Sequence, residues 1–231
     1  MARMMVDTLK AIRYGMGNPL SRAVLKTGLG YSSEGTPRLD AALEAFACGT
    51  VPKNLGDRTY TRLLRMVLDT ICWIFSVQPV ELAKYLQDPV TRRGVASVLK
   101  GIATYGVTKP QLLNSPFLVV WNLTNMCNLR CRHCYQQAGH VAEDELSLEE
   151  KLGLVDELAS AGVVAIAFSG GEPIMHPDFF PTARRAREKD LYVSVATNGI
   201  LLTPEMVNRL ADAGVGYIEV SLDSARPEVH D

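Results

Sequence analysis

The chain has 231 residues, of which 47% are hydrophobic and 21% charged, with a net charge of -1 and an isoelectric point of about 6.4. That length allows one large domain or two small ones, and the composition excludes a disordered chain. A charge so close to zero excludes a global basic field that would draw the protein to nucleic acid.

The opening stretch "MARMMVDTLKAIRY" sets Asp7 and Lys10 inside what would have to be an apolar run, so it does not read as a secretory signal. Arg3, Lys10, Arg13, Arg22 and Lys26 face the single acid Asp7 in this region. A solvated helix face accounts for that bias, and weak association with a membrane surface through a basic face is the competing reading. Helices are expected over 5–16, 37–47 and 89–105, and around Leu64, Val67, Leu68, Ile71 and Phe75, which recur at helical spacing. "GTP", "VPKNLG" and "QDP" punctuate them. The most apolar segment, "TICWIFSV", is far shorter than the roughly 20 residues of a membrane span. Residues 1–110 thus read as an all-helical region of unknown role, without a catalytic motif. Cys48 and Cys72 stand alone in apolar surroundings and read as small buried hydrophobes.

After "TKPQLLNSP" the pattern becomes strand, loop, helix, repeated. "FLVVWNLT" (117–124) is a strand, and "CNLRCRHC" follows it directly. A helix then opens at the capping box of Ser147 and Glu150, turns Leu148, Leu152, Val155 and Leu158 to one side, and stops at Gly162. "VVAIAF" is the next strand and ends in "SGGEP". A helix over 177–189 leads to "LYVSVA" and "TNG". A helix begun by Thr203 and Pro204 and closed by Gly214 leads to "YIEVSLD", read as strand to its end. Such alternation predicts parallel strands joined by right-handed crossovers, whose C-terminal loops share one rim.

Five cysteines, three of them within eight residues, suit a reducing compartment and a metal better than a disulfide framework, so a cytoplasmic location is expected. Cys127, Cys131 and Cys134 can hold three corners of an iron-sulfur cube and leave the fourth iron open. Zinc completed by His133 or His140 is the other reading. "SGGEP" offers Ser169, two residues without side chains at Gly170 and Gly171, and the acid Glu172, so a ligand can meet backbone groups closely. Thr197 and Asn198, and Ser221 and Asp223, are turn and cap residues when taken alone. Their shared rim makes them candidates for the same site.

These motifs, in this order, resemble the radical S-adenosylmethionine enzymes, whose signature is C-x3-C-x2-C after the first strand of a partial (β/α)6 TIM-like barrel. The resemblance covers residues 115–231. It implies a [4Fe-4S] cluster on Cys127, Cys131 and Cys134 whose open iron takes the amino and carboxylate groups of S-adenosyl-L-methionine. It further implies reductive cleavage to a 5'-deoxyadenosyl radical that abstracts a substrate hydrogen. His133 would lie near the adenine, Gly170, Gly171 and Glu172 beside the amino group, and Thr197, Asn198, Ser221 and Asp223 near the ribose and carboxylate. A reductase or flavodoxin-type electron donor is implied as a partner. "TNMCNLRCRHCYQQAG" and "FSGGEPIMHPDF" are similar to the branch of peptide-modifying maturases and the enzymes of haem d1 and alternative haem synthesis, hence an expected peptide or tetrapyrrole-like substrate. The chain stops at "PEVHD" after the fourth strand, where that family continues, so a partial sequence is expected. An iron-sulfur electron-transfer module and a zinc-binding interaction module remain the alternatives.

Overall fold

The computed structural model describes residues 13–226, and the chain divides into two units, Met1–Ser115 and Pro116–Asp231. The helix expected over 5–16 lies largely outside the described residues. In the N-terminal unit the described helices are α1 (Pro19–Thr27), α2 (Arg38–Cys48), α3 (Leu55–Phe75), α4 (Pro79–Tyr85) and α5 (Pro89–Tyr105). Three of them start with proline at the first helical position, where the missing N–H is no loss, and Asn18, Asn54 and Asp88 cap α1, α3 and α5 through their side-chain oxygens.

Helices α1 and α4 escape a reading based on apolar periodicity because each is short and only one turn of each meets the core. Leu25, Leu39, Leu43, Leu64, Leu68 and Ile102 form that core. Cys72 is buried in α3, and burial pushes its thiol up. Cys48 departs from the expectation: it is the last residue of α2, exposed just before the left-handed Gly49 turns the chain away. Among the described residues no single helix is long and apolar enough to cross a membrane.

The C-terminal unit runs β1 (Leu118–Thr124), α6 (Leu148–Ser160), β2 (Ala165–Gly170), a 3-10 turn (Pro173–Met175), α7 (Phe179–Glu188), β3 (Tyr192–Thr197), α8 (Pro204–Asp212) and β4 (Val215–Val220). All the strands are parallel, and their order in the sheet is their order in the chain. A doubly wound sheet reverses its strand order part way, whereas sequential order with right-handed crossovers keeps every helix on one face. This is the arrangement of the first four strands of a TIM-like α/β barrel.

Register explains the core. Trp121, Phe168 and Val195 are aligned across β1, β2 and β3, as are Val119, Ile166 and Val193, so these side chains form rows on the helix-covered face. Trp121, Phe168, Phe179 and Phe180 continue as an aromatic series with ring centroids 5.2 to 5.7 Å apart. Burying Phe168 or Phe179 completely stabilises the unit by about 2–3 kcal/mol each. Strand β4 begins earlier than the sequence suggests, directly after Gly214, and ends at Val220, which leaves Ser221 and Asp223 in the following loop.

Candidate functional site at the strand ends

Parallel strands put the exits of β1, β2, β3 and β4 on one rim, and each of the three later exits makes contact with the cysteine loop that follows β1. From β2, the Gly171 N–H donates to the Thr124 carbonyl at 2.8 Å and the Glu172 N–H to the Met126 carbonyl at 2.7 Å. From β3, the Asn198 side-chain amide donates to Asn128 Oδ1 at 2.8 Å, one residue from Cys127. From β4, Asp223 Oδ2 lies 3.4 Å from His133 Nε2, next to Cys134.

The glycine pair is required by this approach. A Cβ on Gly171 would stand 2.8 Å from the Met126 carbonyl carbon and 3.0 Å from the Asn125 oxygen, with the Met126 oxygen nearer still. Gly170 has φ +123°, a backbone state that side chains rarely tolerate, and its position is closed off by Thr124. Ser169 is half-buried and pairs with Asn122 just before this turn, and Gly170, opposite Thr124, is the last paired residue of β2.

Glu172 is fully buried. Its Oε1 accepts the Thr197 hydroxyl at 2.8 Å and the Ile174 N–H at 3.4 Å, and its Oε2 accepts the Asn198 N–H at 2.8 Å. Burial pushes the carboxyl above its ordinary value against the pull of those three donors. The carboxylate therefore acts as a clasp between the exits of β2 and β3. Thr197 is buried and its hydroxyl, which also accepts the Gly199 N–H at 3.2 Å, belongs to the same clasp. Asn198 folds its Oδ1 back onto the Ile200 N–H at 3.0 Å. The Ser221 N–H donates to the Thr197 carbonyl at 2.9 Å, and its side chain is exposed on the rim.

A second polar cluster beneath the loop was not apparent from the motifs. Lys151 is wholly buried in α6, with Nζ 3.1 Å from Glu145 Oε1 and 3.0 Å from Asp178 Oδ2. His176 accepts the Asp178 N–H at Nδ1, so its proton sits on Nε2, which donates to Glu145 Oε1 at 2.9 Å. Glu145 Oε2 accepts the Thr124 hydroxyl at 2.8 Å, and that hydroxyl accepts the Met126 N–H. Burial would raise the Glu145 carboxyl, but Thr124, Lys151 and His176 together hold it below the usual range. The cluster joins the end of β1, the far end of the cysteine loop and the turn after "SGGEP". Lys151 carries the one clue in the sequence: it falls on the apolar face shared by Leu148, Leu152 and Val155.

Within the loop itself, Cys127 and Cys134 are half-buried and Cys131 is exposed. The Leu129 N–H points at Cys127 Sγ, 3.4 Å away, and the Cys134 N–H donates to the Cys131 carbonyl at 3.1 Å. Among the described residues no group of three or more His, Cys, Asp or Glu side chains is gathered closely enough to hold a metal ion. The donor set still fits a thiophilic cluster: three thiols share one short loop, with a backbone N–H aimed at sulfur and a glycine-lined cradle beside it.

Residues 121–231 match the Radical SAM superfamily. The chain is 49% identical over 110 residues to the Fe-coproporphyrin III synthase of Methanosarcina barkeri, a match covering 47% of this chain and 28% of that protein. It is 37% identical over 119 residues to the mycofactocin maturase MftC of Mycobacterium tuberculosis, covering 52% of this chain and 30% of the maturase. The chain thus spans under a third of the length of these relatives. Among solved structures it is similar to Streptococcus suis SuiB bound to S-adenosylmethionine, with 17% identity, a TM-score of 0.48, and coverage of 81% of this chain and 42% of SuiB.

Proposed function

We propose that this chain, whose residues 121–231 match the Radical SAM superfamily, holds a [4Fe-4S] cluster on Cys127, Cys131 and Cys134 and cleaves S-adenosyl-L-methionine. The observation that carries the reading is the convergence of three strand exits on the cysteine loop, through Met126, Asn128 and His133. When bound and reduced, the cluster would supply the electron that breaks the sulfonium bond and releases a 5'-deoxyadenosyl radical.

The protein's own groups would orient and enclose. Backbone carbonyl oxygens at Gly170, Gly171 and Glu172 would accept from the amino group, while the Gly171 and Glu172 N–H groups are already spent on the Thr124 and Met126 carbonyls. Asn198, Ser221 and Asp223 stand on the rim where ribose and carboxylate contacts would form, and His133 beside Asp223 would flank the adenine. Glu172 and Thr197 would act one layer down, as positioning residues, because their polar atoms are already paired with each other and with the Asn198 backbone.

The similarity to those relatives supports a tetrapyrrole-like molecule or a peptide as the substrate class, from which the radical would abstract hydrogen. A flavodoxin-type donor in a reducing cytoplasm would supply the electron. The test is anaerobic reconstitution with iron and sulfide, followed by metal and sulfide analysis and electron paramagnetic resonance of the reduced protein. Iron and sulfide in equal amounts, lost in each of C127A, C131A and C134A, is the expected result. Zinc retained without sulfide would replace the reading with a structural metal site.

A further inference from the structure

We propose that the helical unit docks on anionic lipid surfaces through the outer face of α3, an inference independent of the radical chemistry. The first observation is charge. Residues 1–115 carry 15 Lys and Arg against 8 Asp and Glu, whereas residues 116–231 carry 9 against 17. The near-neutral chain therefore consists of a cationic unit and an anionic one.

The second observation is the outer face of α3 itself. At 3.6 residues per turn, Leu55 and Trp73 are separated by five whole turns, and Met66 lies within about 20° of their line. These three are 76%, 82% and 65% exposed, while Tyr60, Leu64 and Leu68 on the opposite face are buried in the core. The helix thus carries large apolar side chains on its outer side as well as on its core side, set there among Arg62, Asp69, Thr59 and Thr70. Arg58 and Arg65 are exposed and flank the apolar row on one side, and Arg62, also exposed, falls within about 20° of its line. Among the described residues Arg58 and Arg62 have no acidic partner, and Arg65 lies over the Phe46 ring at 5.7 Å.

The shape of this face selects the occupant. One convex helix offers a strip roughly 27 Å long and about 10 Å wide, far below the about 800 Å² per partner that a stable protein interface buries. A bilayer asks for no such area: apolar side chains enter the boundary, arginines meet phosphates, and tryptophan prefers that depth.

The experiment uses the full chain with Trp121→Phe, so that Trp73 is its only tryptophan. Cosedimentation and Trp73 emission are followed with phosphatidylcholine vesicles, with and without phosphatidylglycerol. Binding to the anionic vesicles alone is expected, with a blue shift of Trp73 and weakening in salt. Arg58→Gln and Arg62→Gln should each weaken binding about fivefold, and Met66→Ser with Trp73→Ser should abolish sedimentation while thermal unfolding stays cooperative. Failure to bind anionic vesicles at low salt overturns the proposal. So does binding kept in the Met66→Ser, Trp73→Ser chain but lost on removing residues 1–12, or a dimer that dissociates in that double variant, which would assign the face to a second copy.

Discussion

The Glu172 carboxylate accepts the Thr197 hydroxyl at 2.8 Å, tying the exit of β2 to the end of β3 across 25 residues of sequence. With the Asn198 N–H as a further donor, this bond fixes the loop whose side chain reaches Asn128 beside the first cysteine. Its titration has a readable sign. Burial raises the folded carboxyl above the ordinary 4.5, so the folded chain keeps a proton that the unfolded chain has released. Stability contributed by that proton is complete below 4.5 and falls as pH rises through the folded value, then levels off. Glu172→Gln should cost about 1–3 kcal/mol through the mismatched amide at the Asn198 N–H. It should also remove that decline between wild type and variant, read from urea midpoints across the window.

Lys151 predicts a larger effect. Replacing it with Met leaves Glu145 and Asp178 facing each other in a buried site, and the loss of one partner from such a network costs about 3–5 kcal/mol. Adding Glu145→Gln should recover part of the loss, because the two changes act on one cluster and do not add. Chemical denaturation of the two singles and the double measures the coupling; strict additivity would mean that the cluster is not a unit.

Two glycines should respond in opposite directions. Gly171→Ala drives a methyl into the Met126 carbonyl, and either the cysteine loop or the β2 turn must move, at about 1–3 kcal/mol. Iron retained after reconstitution should fall with it. Gly153, inside α6 with no atom within 4 Å of its added Cβ, should gain about 0.5–1 kcal/mol on replacement by Ala. Thermal unfolding of both variants, with iron analysis of the first, checks the pair.

Much of this arrangement could be read from the chain because alternation of strand and helix fixes topology. Once β1 to β4 are parallel and sequential, the four motifs must share a rim, and Met126, Asn128 and His133 show them meeting there. What side chains do at that rim was less legible. Glu172 reads as a free acid in "SGGEP", but its burial and its partners come from β3, far away in sequence. His176 and Glu145 carry no motif, and only the fold places them on one hydrogen-bonded chain with Thr124. The end of β4 was misplaced because "YIEVSLD" keeps strand-like residues past Val220, where pairing with β3 stops.

The most direct test of the central claim is whether the anaerobically reconstituted chain, given S-adenosyl-L-methionine and dithionite, forms 5'-deoxyadenosine, with C131A in parallel. Product from the wild-type chain and none from C131A is the expected result. A fully loaded cluster that yields no product in the wild-type chain would contradict the account and leave an iron-sulfur module without cleavage activity.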